Sequence, residues 1–374
     1  MKNFRVGVDI GGTFTDIVFL NAEGQLFTKK VPSSVDDYAR AIVEGMSEVF
    51  GEAGLKPEDI DELRHGTTVA SNAILELKGA KVGLITSAGF RDILEIRTLR
   101  MPVLYDLTWE KPPALVERYL RQVVDERISS NGVVERAPKR SDIEKVVDCL
   151  LEQNVEAIAV CLINSYANPE HEQLIAEVVS QKAPDLPLCI SSDVLPEMKE
   201  YERTSTTVIN AYVLPVVATY LSALRKGLDK GGISVPIYLM QSNGGLTTSE
   251  AASRLPMHII ESGPAGGVIG SQSIANASGI ENVITFDMGG TTAKTSMITR
   301  GEVTRALDMQ VGGGIMHGSR LMTGAGYALK VPAIDLAEVG AGGGSILSID
   351  AGGSLKAGPE SAGASPGPVC YDAG

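Results

Sequence analysis

The sequence has few cysteines and no long apolar run, and each absence excludes a class of protein. Its four cysteines, Cys149, Cys161, Cys189 and Cys370, form no CxxC pair, which argues against zinc, iron–sulfur clusters and a disulfide framework. No stretch of 18 apolar residues without charge occurs, and the N-terminus lacks a signal-peptide pattern. These absences predict a cytoplasmic protein with reduced thiols and no membrane span.

Basic residues are also scarce. There are 33 Lys and Arg against 46 Asp and Glu, a formal net charge of −13, which argues against nucleic acid and anionic membranes as partners. Phosphate ligands stay possible because backbone amides bind them without basic side chains. A globular composition over 374 residues predicts two or three domains.

Glycine, by contrast, is abundant. The chain has 41 glycines, and 16 of them fall in the last 64 residues. Glycine is costly to order, so such a cluster indicates close approach of backbone segments or positive φ angles.

The first 50 residues predict a β-β-β-α order. Short β-rich runs cover 4–9, 16–20 and 25–30, and helical apolar spacing covers 36–50. A tight turn joins the first two strands, which therefore form a hairpin rather than the β-α-β unit of a dinucleotide-binding fold.

Further along, strands and helices alternate. A loop leading into a helix is expected at 63–76, and an irregular surface insertion at 101–140. Four more strands and two helices are predicted: strands 81–89, 155–163, 186–194 and 236–245, and helices 141–153 and 203–228, the last with Pro215 as a kink.

One pattern occurs twice. Residues 6–20 and 283–298 share an apolar strand, an aspartate, an apolar residue, Gly-Gly-Thr and a second strand. Asp9 and Asp287 end the two buried strands. The turn residues that could reach a ligand are Gly11, Gly12, Thr13, Thr15, Gly289, Gly290, Thr291 and Thr292.

The duplicated hairpin predicts a phosphate site. Turn amides and hydroxyls of two facing hairpins would hold phosphate oxygens, and the two aspartates would orient Mg²⁺ and its waters. An ordinary Gly-Gly turn explains either copy alone, but two copies in the same register favour the functional interpretation.

The pair resembles the phosphate-1 and phosphate-2 loops of the actin, sugar kinase and heat-shock chaperone superfamily. Its surroundings resemble the hydantoinase A/oxoprolinase family, which includes N-methylhydantoinase A, the oxoprolinases and the β-type subunits of acetone and acetophenone carboxylases. Motifs along nearly the whole chain carry this second resemblance: DIGGTFTDIV, RHGTTVASNAILE, GLITSAGFRDILEI, EYERTSTTVINAY, MQSNGGL, ESGPAGGVIG, FDMGGTTAKT, VGAGGGSI and GPESAGASPGPVCY.

The resemblance implies an α/β fold of the ribonuclease H-like actin/sugar-kinase type, with the duplicated hairpins as phosphate loops. It implies an N-terminal region at 1–195 and an incomplete core at 196–374, because family members usually continue past the PGPxCY segment. Lys294 stands where many members carry an aspartate, and we expect it to contact phosphate. The chain is expected to be truncated or one part of a split gene.

The activity implied is ATP- and Mg²⁺-dependent opening of a cyclic amide such as hydantoin, N-methylhydantoin or 5-oxoproline. The amide carbonyl would be phosphorylated, with Asp9 and Asp287 as catalytic and metal-holding residues. An oligomer that includes a hydantoinase B-type partner is expected. There are three alternatives. The chain could be a subunit of an ATP-dependent ketone carboxylase, a nucleotide-switched binding protein of the chaperone or actin type, or a sugar kinase.

Three further segments each have a functional and a structural interpretation. His65, Thr67 and Thr68 could contact substrate or form a helix-capping loop. Gly266 and Gly267 could present amides to phosphate or allow tight helix–sheet packing. The glycines of 339–346 could let the backbone approach nucleotide or the facing domain, or form a flexible loop.

The remaining charged residues and histidines favour structural roles. His171, His258 and His317 have no metal-ligand spacing. Glu200, Glu202 and Arg203 predict a salt-bridged helix entrance, with a substrate contact as the alternative.

Overall fold

A computed structural model describes residues 3–11, 14–33, 38–98, 107–290, 293–312, 326–339, 341–363 and 367–369. Its strands, in chain order, are β1 (Phe4–Ile10), β2 (Phe14–Leu20), β3 (Leu26–Pro32), β4 (Ile60–Thr67), β5 (Val82–Ser87), β6 (Arg121–Val124), β7 (Arg127–Ile128), β8 (Val134–Arg136), β9 (Ala157–Cys161), β10 (Leu188–Ile190), β11 (Ile237–Met240), β12 (Leu246–Thr248), β13 (Val283–Met288), β14 (Ala293–Thr299), β15 (Glu302–Val303), β16 (Arg305–Ala306), β17 (Met309–Val311), β18 (Tyr327–Leu329), β19 (Ala333–Ile334), β20 (Ala337–Val339), β21 (Ser345–Ile349) and β22 (Leu355–Ser361). Its α-helices are α1 (Tyr38–Ala53), α2 (Val69–Leu75), α3 (Ile93–Ile96), α4 (Arg140–Glu152), α5 (Glu170–Lys182), α6 (Ser191–Val194), α7 (Glu200–Lys230), α8 (Ser249–Arg254) and α9 (Ser262–Ala277).

The first sheet has the order β12-β11-β4-β1-β2-β3. The predicted meander is confirmed, because β1, β2 and β3 pair antiparallel and α1 follows them. The loop expected from residue 63 is wrong: β4 runs to Thr67, parallel to β1 and to β11. Its alternate side chains, Leu63 and His65, are buried, so this strand is part of the core.

The second sheet, β10-β9-β5-β6, is parallel throughout. It corrects the expectation of a surface insertion over 101–140, because β6 pairs with β5 and buries Val124. The buried guanidinium of Arg121 donates to Val116 O and pairs with Glu95, which satisfies two of its donor groups inside the fold. The predicted strand at 186–194 is shorter, since α6 begins at Ser191.

Helix α7 packs against β5, β9 and β10 of the second sheet, and its Tyr220 hydroxyl is hydrogen-bonded to His65 of β4 in the first sheet. Pro215 lies inside the helix without ending it. Within the described residues α7 is the only helix long and apolar enough to cross a membrane, but 61% of its apolar window is buried inside the protein. That burial is usual for a core helix.

The third sheet is smaller. It contains β13, β14 and β15, with β20 also paired to β14. One face packs on α9, where Ala265, Val268, Ile298, Val303 and Ile334 form a core separate from the large core of the first two sheets.

The expected α/β class is confirmed, with parallel and antiparallel sheets alternating with helices. The predicted domain boundary between 195 and 196 stays a prediction. It does not separate the sheets, because β11 and β12 lie beyond it and join the first sheet.

Candidate phosphate site

Asp9 lies in a cradle formed by two glycines. The residue is next to last in β1, and a Cβ atom at Gly66 would lie 2.9 Å from its Oδ1 atom. A Cβ at Gly263, in the first turn of α9, would lie 3.2 Å from the same oxygen. Side chains at either position would crowd the carboxylate, so the glycines make room for it.

The two predicted aspartates lie within electrostatic reach of each other. Burial raises the pKa of Asp9, and the carboxylates of Asp16 and Asp287 raise it further, while Lys30 opposes them. A divalent cation would relieve this repulsion, and carboxylates that share a cation with water ligands suit Mg²⁺. Among the described residues, no group of three or more His, Cys, Asp or Glu side chains could hold a metal ion.

The first hairpin is held by hydrogen bonds at its base. Gly11 N donates to Phe14 O at 2.9 Å, and Ser33 Oγ donates to Gly11 O at 2.8 Å. Thr15 Oγ1 lies 3.0 Å from Ser33 Oγ, and Thr15 is fully buried, so its hydroxyl stabilises the turn from behind. Gly12 and Thr13 lie outside the described residues.

The second hairpin has a glycine-rich neighbour. Gly343 N donates to Gly289 O at 2.9 Å, and Gly344 N donates to Gly290 O at 2.7 Å. A Cβ at Gly342 would lie 2.6–2.7 Å from backbone atoms of the same turn. The glycines of 342–344 therefore approach the second turn closely, and the contact with nucleotide or the facing domain expected for 339–346 stays a prediction. Thr291 and Thr292 lie outside the described residues.

Lys294 lies among carboxylates. Its Nζ atom is 2.6 Å from Glu261 Oε2, and both side chains are mostly buried. The strand register places Lys294 between Asp287 and Glu338 on neighbouring strands. Burial lowers the pKa of Lys294, but the surrounding carboxylates outweigh that effect, and the net shift is upward. The Lys294 side chain is therefore a charged ammonium that the neighbouring carboxylates hold in place beside the second hairpin.

Three consecutive residues at the start of α9, Glu261, Ser262 and Gly263, connect the second hairpin with the first. Glu261 pairs with Lys294, and Gly263 lies against Asp9. Between them, Ser262 Oγ accepts from Thr67 N at 2.9 Å and donates to Thr67 O at 2.8 Å. Sequence reasoning missed Glu261 and Ser262, although both lie in the ESGPAGG motif that drew attention to the glycines.

Gly266 and Gly267, the two glycines of the ESGPAGG motif predicted to contact phosphate, lie in the second turn of α9. A Cβ at Gly266 would lie 3.8 Å from the side chain of Met240, an ordinary contact. Gly267 has open space in place of a side chain. Packing within the chain therefore does not require glycine at 267, and its role as a nucleotide contact stays a prediction.

The predicted substrate residues, His65, Thr67 and Thr68, make their hydrogen bonds to other residues of the protein. His65 Nδ1 is 3.2 Å from Val8 O, its Nε2 is 2.5 Å from the Tyr220 hydroxyl, and the ring is buried. Burial lowers its pKa to about 4. Thr67 is buried, and Thr68 Oγ1 donates to Ile10 O at 3.2 Å. These contacts favour structural roles over direct contact with substrate.

The contacts of the other charged candidates favour structural roles. Arg203 is buried and donates to Leu162 O and Glu197 O. Among the described residues its partners are therefore backbone carbonyls, and not the carboxylates of the salt bridge predicted for this helix entrance. His171 is buried beside Glu126, with 2.7 Å between Nδ1 and Oε2. His258 is half-buried, and burial lowers its pKa. His317 lies outside the described residues.

Comparison with known proteins identifies the family. Residues 5–183 match the sequence model of the hydantoinase/oxoprolinase N-terminal region, and residues 203–374 match that of hydantoinase/oxoprolinase. The chain belongs to the hydantoinase/oxoprolinase family. It is 37% identical to the caprolactamase alpha chain of Pseudomonas jessenii, over 100% of this chain and 53% of that protein. It is 32% identical to 5-oxoprolinase 1 of Arabidopsis thaliana, over 99% of this chain and 30% of that protein.

Solved structures of this family share the fold. The crystal structure of ATP-dependent caprolactamase from Pseudomonas jessenii matches with a TM-score of 0.82 and 37% identity, over 99% of this chain and 52% of that one. Nucleotide-free acetone carboxylase matches with a TM-score of 0.80 and 27% identity, over 97% and 52%. The actin-like ATPase fold is therefore confirmed. The chain spans about half the length of these proteins.

Proposed function

We propose that this chain provides the ATP-binding half of an enzyme that opens a cyclic amide. The observation that carries the proposal is the proximity of Asp9 and Asp287, each beside a glycine hairpin. The relatives named for ATP-dependent caprolactamase and for 5-oxoprolinase support this substrate class, because caprolactam and 5-oxoproline are both cyclic amides.

The chemistry explains why ATP is needed. Resonance makes an amide carbonyl a poor electrophile, and its oxygen does not readily accept negative charge. Transfer of the γ-phosphoryl group of ATP to that oxygen releases ADP and gives an imidate-like phosphate. Addition of water to its carbon, with a proton to nitrogen, would break the ring C–N bond and leave an acyl phosphate. A second water would then hydrolyse the acyl phosphate to the open-chain acid and free phosphate. The chain's part is to position the phosphates and neutralise developing charge.

Different residues of the site would bind Mg²⁺ and the phosphate oxygens of ATP. Asp9 and Asp287 would hold Mg²⁺ through its water ligands, and the bound ion would supply charge neutralisation at the phosphates. Lys294 would bind a phosphate oxygen, and amides of the two glycine turns would bind others. The absence of side chains at Gly66 and Gly263 leaves room for the Asp9 carboxylate.

The second candidate reaction follows from the acetone carboxylase match. The same ATP core could phosphorylate a ketone and bicarbonate for carboxylation, and the TM-score of 0.80 favours keeping this candidate. We expect a hydantoinase B-type partner in a cytoplasmic oligomer, because relatives are named as subunits of larger enzymes.

The test is phosphate release from Mg-ATP by the natively purified protein with its co-purifying partners. Separate reactions contain 5-oxoproline, hydantoin, N-methylhydantoin, caprolactam, or acetone with bicarbonate, and mass spectrometry identifies the product. Stimulation by one cyclic amide, with an equal amount of its ring-opened product, is the expected result. Stimulation only by ketone with bicarbonate would establish the carboxylase. Slow turnover that responds to protein partners and not to small molecules would indicate a nucleotide-switched binding protein.

A further inference from the structure

A small cleft lies between the end of α3, the start of α7 and β18. It contains about 260 Å³ of empty space and is partly open to solvent. Pockets for drug-sized ligands usually enclose about 300–1,000 Å³, so a ligand of this cleft must be small. Its walls are mainly apolar or aromatic and include Leu94, Leu115, Val208, Tyr201 and Tyr327. We call it the Arg97 cleft, after the arginine that also lines it.

Arg97 has a hydrogen-bond donor that the protein leaves unused. The residue follows the last residue of α3, and its Nη2 atom donates to Pro112 O at 2.6 Å. Its guanidinium carbon lies 5.4 Å from the centre of the Tyr327 ring. Within the described residues, the Nη1 atom is buried and has no hydrogen-bond partner. A buried donor without a partner destabilises a protein, so we expect an acceptor oxygen of a ligand at this position.

The positive charge of Arg97 also lacks a counter-ion. The two carboxylates of α3 and its N-cap are paired with other arginines, Asp92 with Arg118 and Glu95 with Arg121, each at 2.9 Å. No carboxylate among the described residues forms an ion pair with Arg97 itself. An anionic oxygen would therefore supply both the missing acceptor and the missing charge.

The guanidinium influences the other polar groups of the cleft. Burial raises the pKa of Tyr201 and of Tyr327, and the positive charge of Arg97 acts against burial in both cases. The charge is thus close to both phenol groups. The chain as a whole carries a net charge of −13, so this positive spot is a local feature that favours an anion.

The backbone of Arg97 is unusual for a residue with a side chain. Its φ angle is 56° and its ψ angle is −141°, in a region that residues other than glycine rarely adopt. Such strained positions are concentrated at binding and catalytic sites, where the surrounding structure holds them. The strain therefore agrees with a binding role for this arginine.

The Arg97 cleft is separate from the phosphate site. Tyr220 of α7 is hydrogen-bonded to His65, which precedes the Gly66 that lies against Asp9. Val208 lines the cleft and precedes Tyr220 on the same helix. The separation of these two positions along α7 is roughly 18 Å, at about 1.5 Å per residue. A small molecule does not span that distance, so a ligand in the cleft would not contact the transferred phosphate.

We propose that the Arg97 cleft binds a small carboxylate that has an apolar ring or short apolar chain. The carboxylate accepts a hydrogen bond from Arg97 Nη1 and neutralises the guanidinium, while the rings of Tyr201 and Tyr327 enclose the body of the molecule. Two sources share this chemistry. One is an acid that carries the cyclic amide group, and the other is an unrelated carboxylic acid.

The first test measures ligand binding by isothermal titration calorimetry to the natively purified protein without ATP. The probes are 5-oxoproline, cyclopentanecarboxylate and 2-pyrrolidinone, which place a carboxylate, an amide or both on the same small ring. We expect both carboxylates to bind at least ~10-fold more tightly than 2-pyrrolidinone, because the neutral ring lacks the charge-assisted hydrogen bond. Tighter binding of 5-oxoproline than of cyclopentanecarboxylate would assign the cleft to an acid with a cyclic amide. Equal binding would assign it to an unrelated carboxylic acid.

The second test places the binding in the cleft. Arg97→Gln should weaken binding of both carboxylates at least ~10-fold. Arg118→Gln is the matched control, because it removes the same charge from a side chain that is 61% exposed and paired with Asp92, and it should leave binding unchanged. Ala114→Leu keeps the guanidinium but fills the cleft, so it should also remove carboxylate binding. Thermal unfolding checks that each variant is folded.

Two outcomes would overturn the proposal. Carboxylates that bind no better than 2-pyrrolidinone would mean that solvent alone satisfies Arg97. Carboxylate binding that both Arg97→Gln and Ala114→Leu leave unchanged would mean that the ligand lies elsewhere. Neither measurement needs ATP or turnover, so a negative result leaves the proposed function standing, and a positive result holds even if no cyclic amide is opened.

Discussion

The ammonium of Lys294 and the carboxylate of Glu261 lie 2.6 Å apart where β14 meets the start of α9. Glu338 and Asp287 flank the lysine, so one cation faces three carboxylates. A phosphate bound beside the second hairpin would offer Lys294 a further anionic partner. The pair therefore couples the second hairpin to the segment that touches Asp9.

Replacing Lys294 by alanine should raise KM for ATP about tenfold or more, because a charge-assisted hydrogen bond to phosphate is lost. Glu261→Gln is the matched variant. It keeps the side-chain shape but removes the charge that holds Lys294, so kcat should fall while KM for ATP does not rise. Steady-state phosphate release measures both values. Unchanged kinetics in Lys294→Ala would remove this residue from the phosphate site.

Asp9→Asn should lower phosphate release about 10- to 100-fold, the usual loss when a group that orients a metal's ligands is removed. The same variant should have an equal or higher Tm at pH 7. The pKa of Asp9 is raised in the folded protein, so ionisation of its carboxyl group is less favourable there than in the unfolded chain. Above that pKa the charged carboxylate therefore destabilises the fold. Asp16→Asn is the control, since Asp16 is half-exposed and paired with Lys30, and its loss should leave phosphate release nearly unchanged. A lower Tm with full activity in Asp9→Asn would contradict both the role of Asp9 in phosphate release and the destabilising effect of its charge.

Gly66→Ala should displace the Asp9 carboxylate, because the added methyl group would lie 2.9 Å from its Oδ1 atom. We expect a loss in kcat with the protein still folded. Gly51→Ala, in an open position of α1, is the control and should stabilise the protein by about 0.5–1 kcal/mol without affecting kcat. Thermal unfolding and phosphate release together separate the two effects. Equal kcat values for the two variants would show that the cradle is not needed.

Stability should fall on acidification because of His65. Its pKa is lowered from 6.5 to about 4, so the folded protein keeps the ring neutral while the unfolded chain protonates below pH 6.5. The stabilisation is present above pH 6.5 and is lost between pH 6.5 and 4, by about 3 kcal/mol at most. His65→Gln should flatten this part of the curve of unfolding free energy against pH. An unchanged slope would show that another group titrates there.

Local patterns predicted the hairpins well. Alternating apolar residues and the glycine turns located β1, β2, β13 and β14. The repeat of Asp9 in Asp287 predicted a pair of carboxylates, and Asp287 is close enough to raise the pKa of Asp9. That the two hairpins face each other across a phosphate stays a prediction. These features are encoded within about 15 residues each, so no distant contact is needed to recognise them.

Distant contacts explain the rest. Residues 63–67 looked like a loop because His65 and the threonines are polar, but Val8 O and Tyr220 satisfy the ring inside the core. The contact of Ser262 with Thr67 joins positions 195 residues apart, and no local pattern reports it. The exposure of Phe286 was equally hidden, because its sequence pattern matches that of a buried strand.

Metal-directed cleavage tests most directly whether the two hairpins form one phosphate site. Fe²⁺ replaces Mg²⁺ in the ATP complex of the natively purified protein, ascorbate and peroxide are added, and mass spectrometry maps the backbone cuts. The account predicts ATP-dependent cuts in both 9–15 and 287–294, and fewer cuts in both segments for Asp9→Asn. Cuts in only one hairpin, or at a site remote from both, would contradict it.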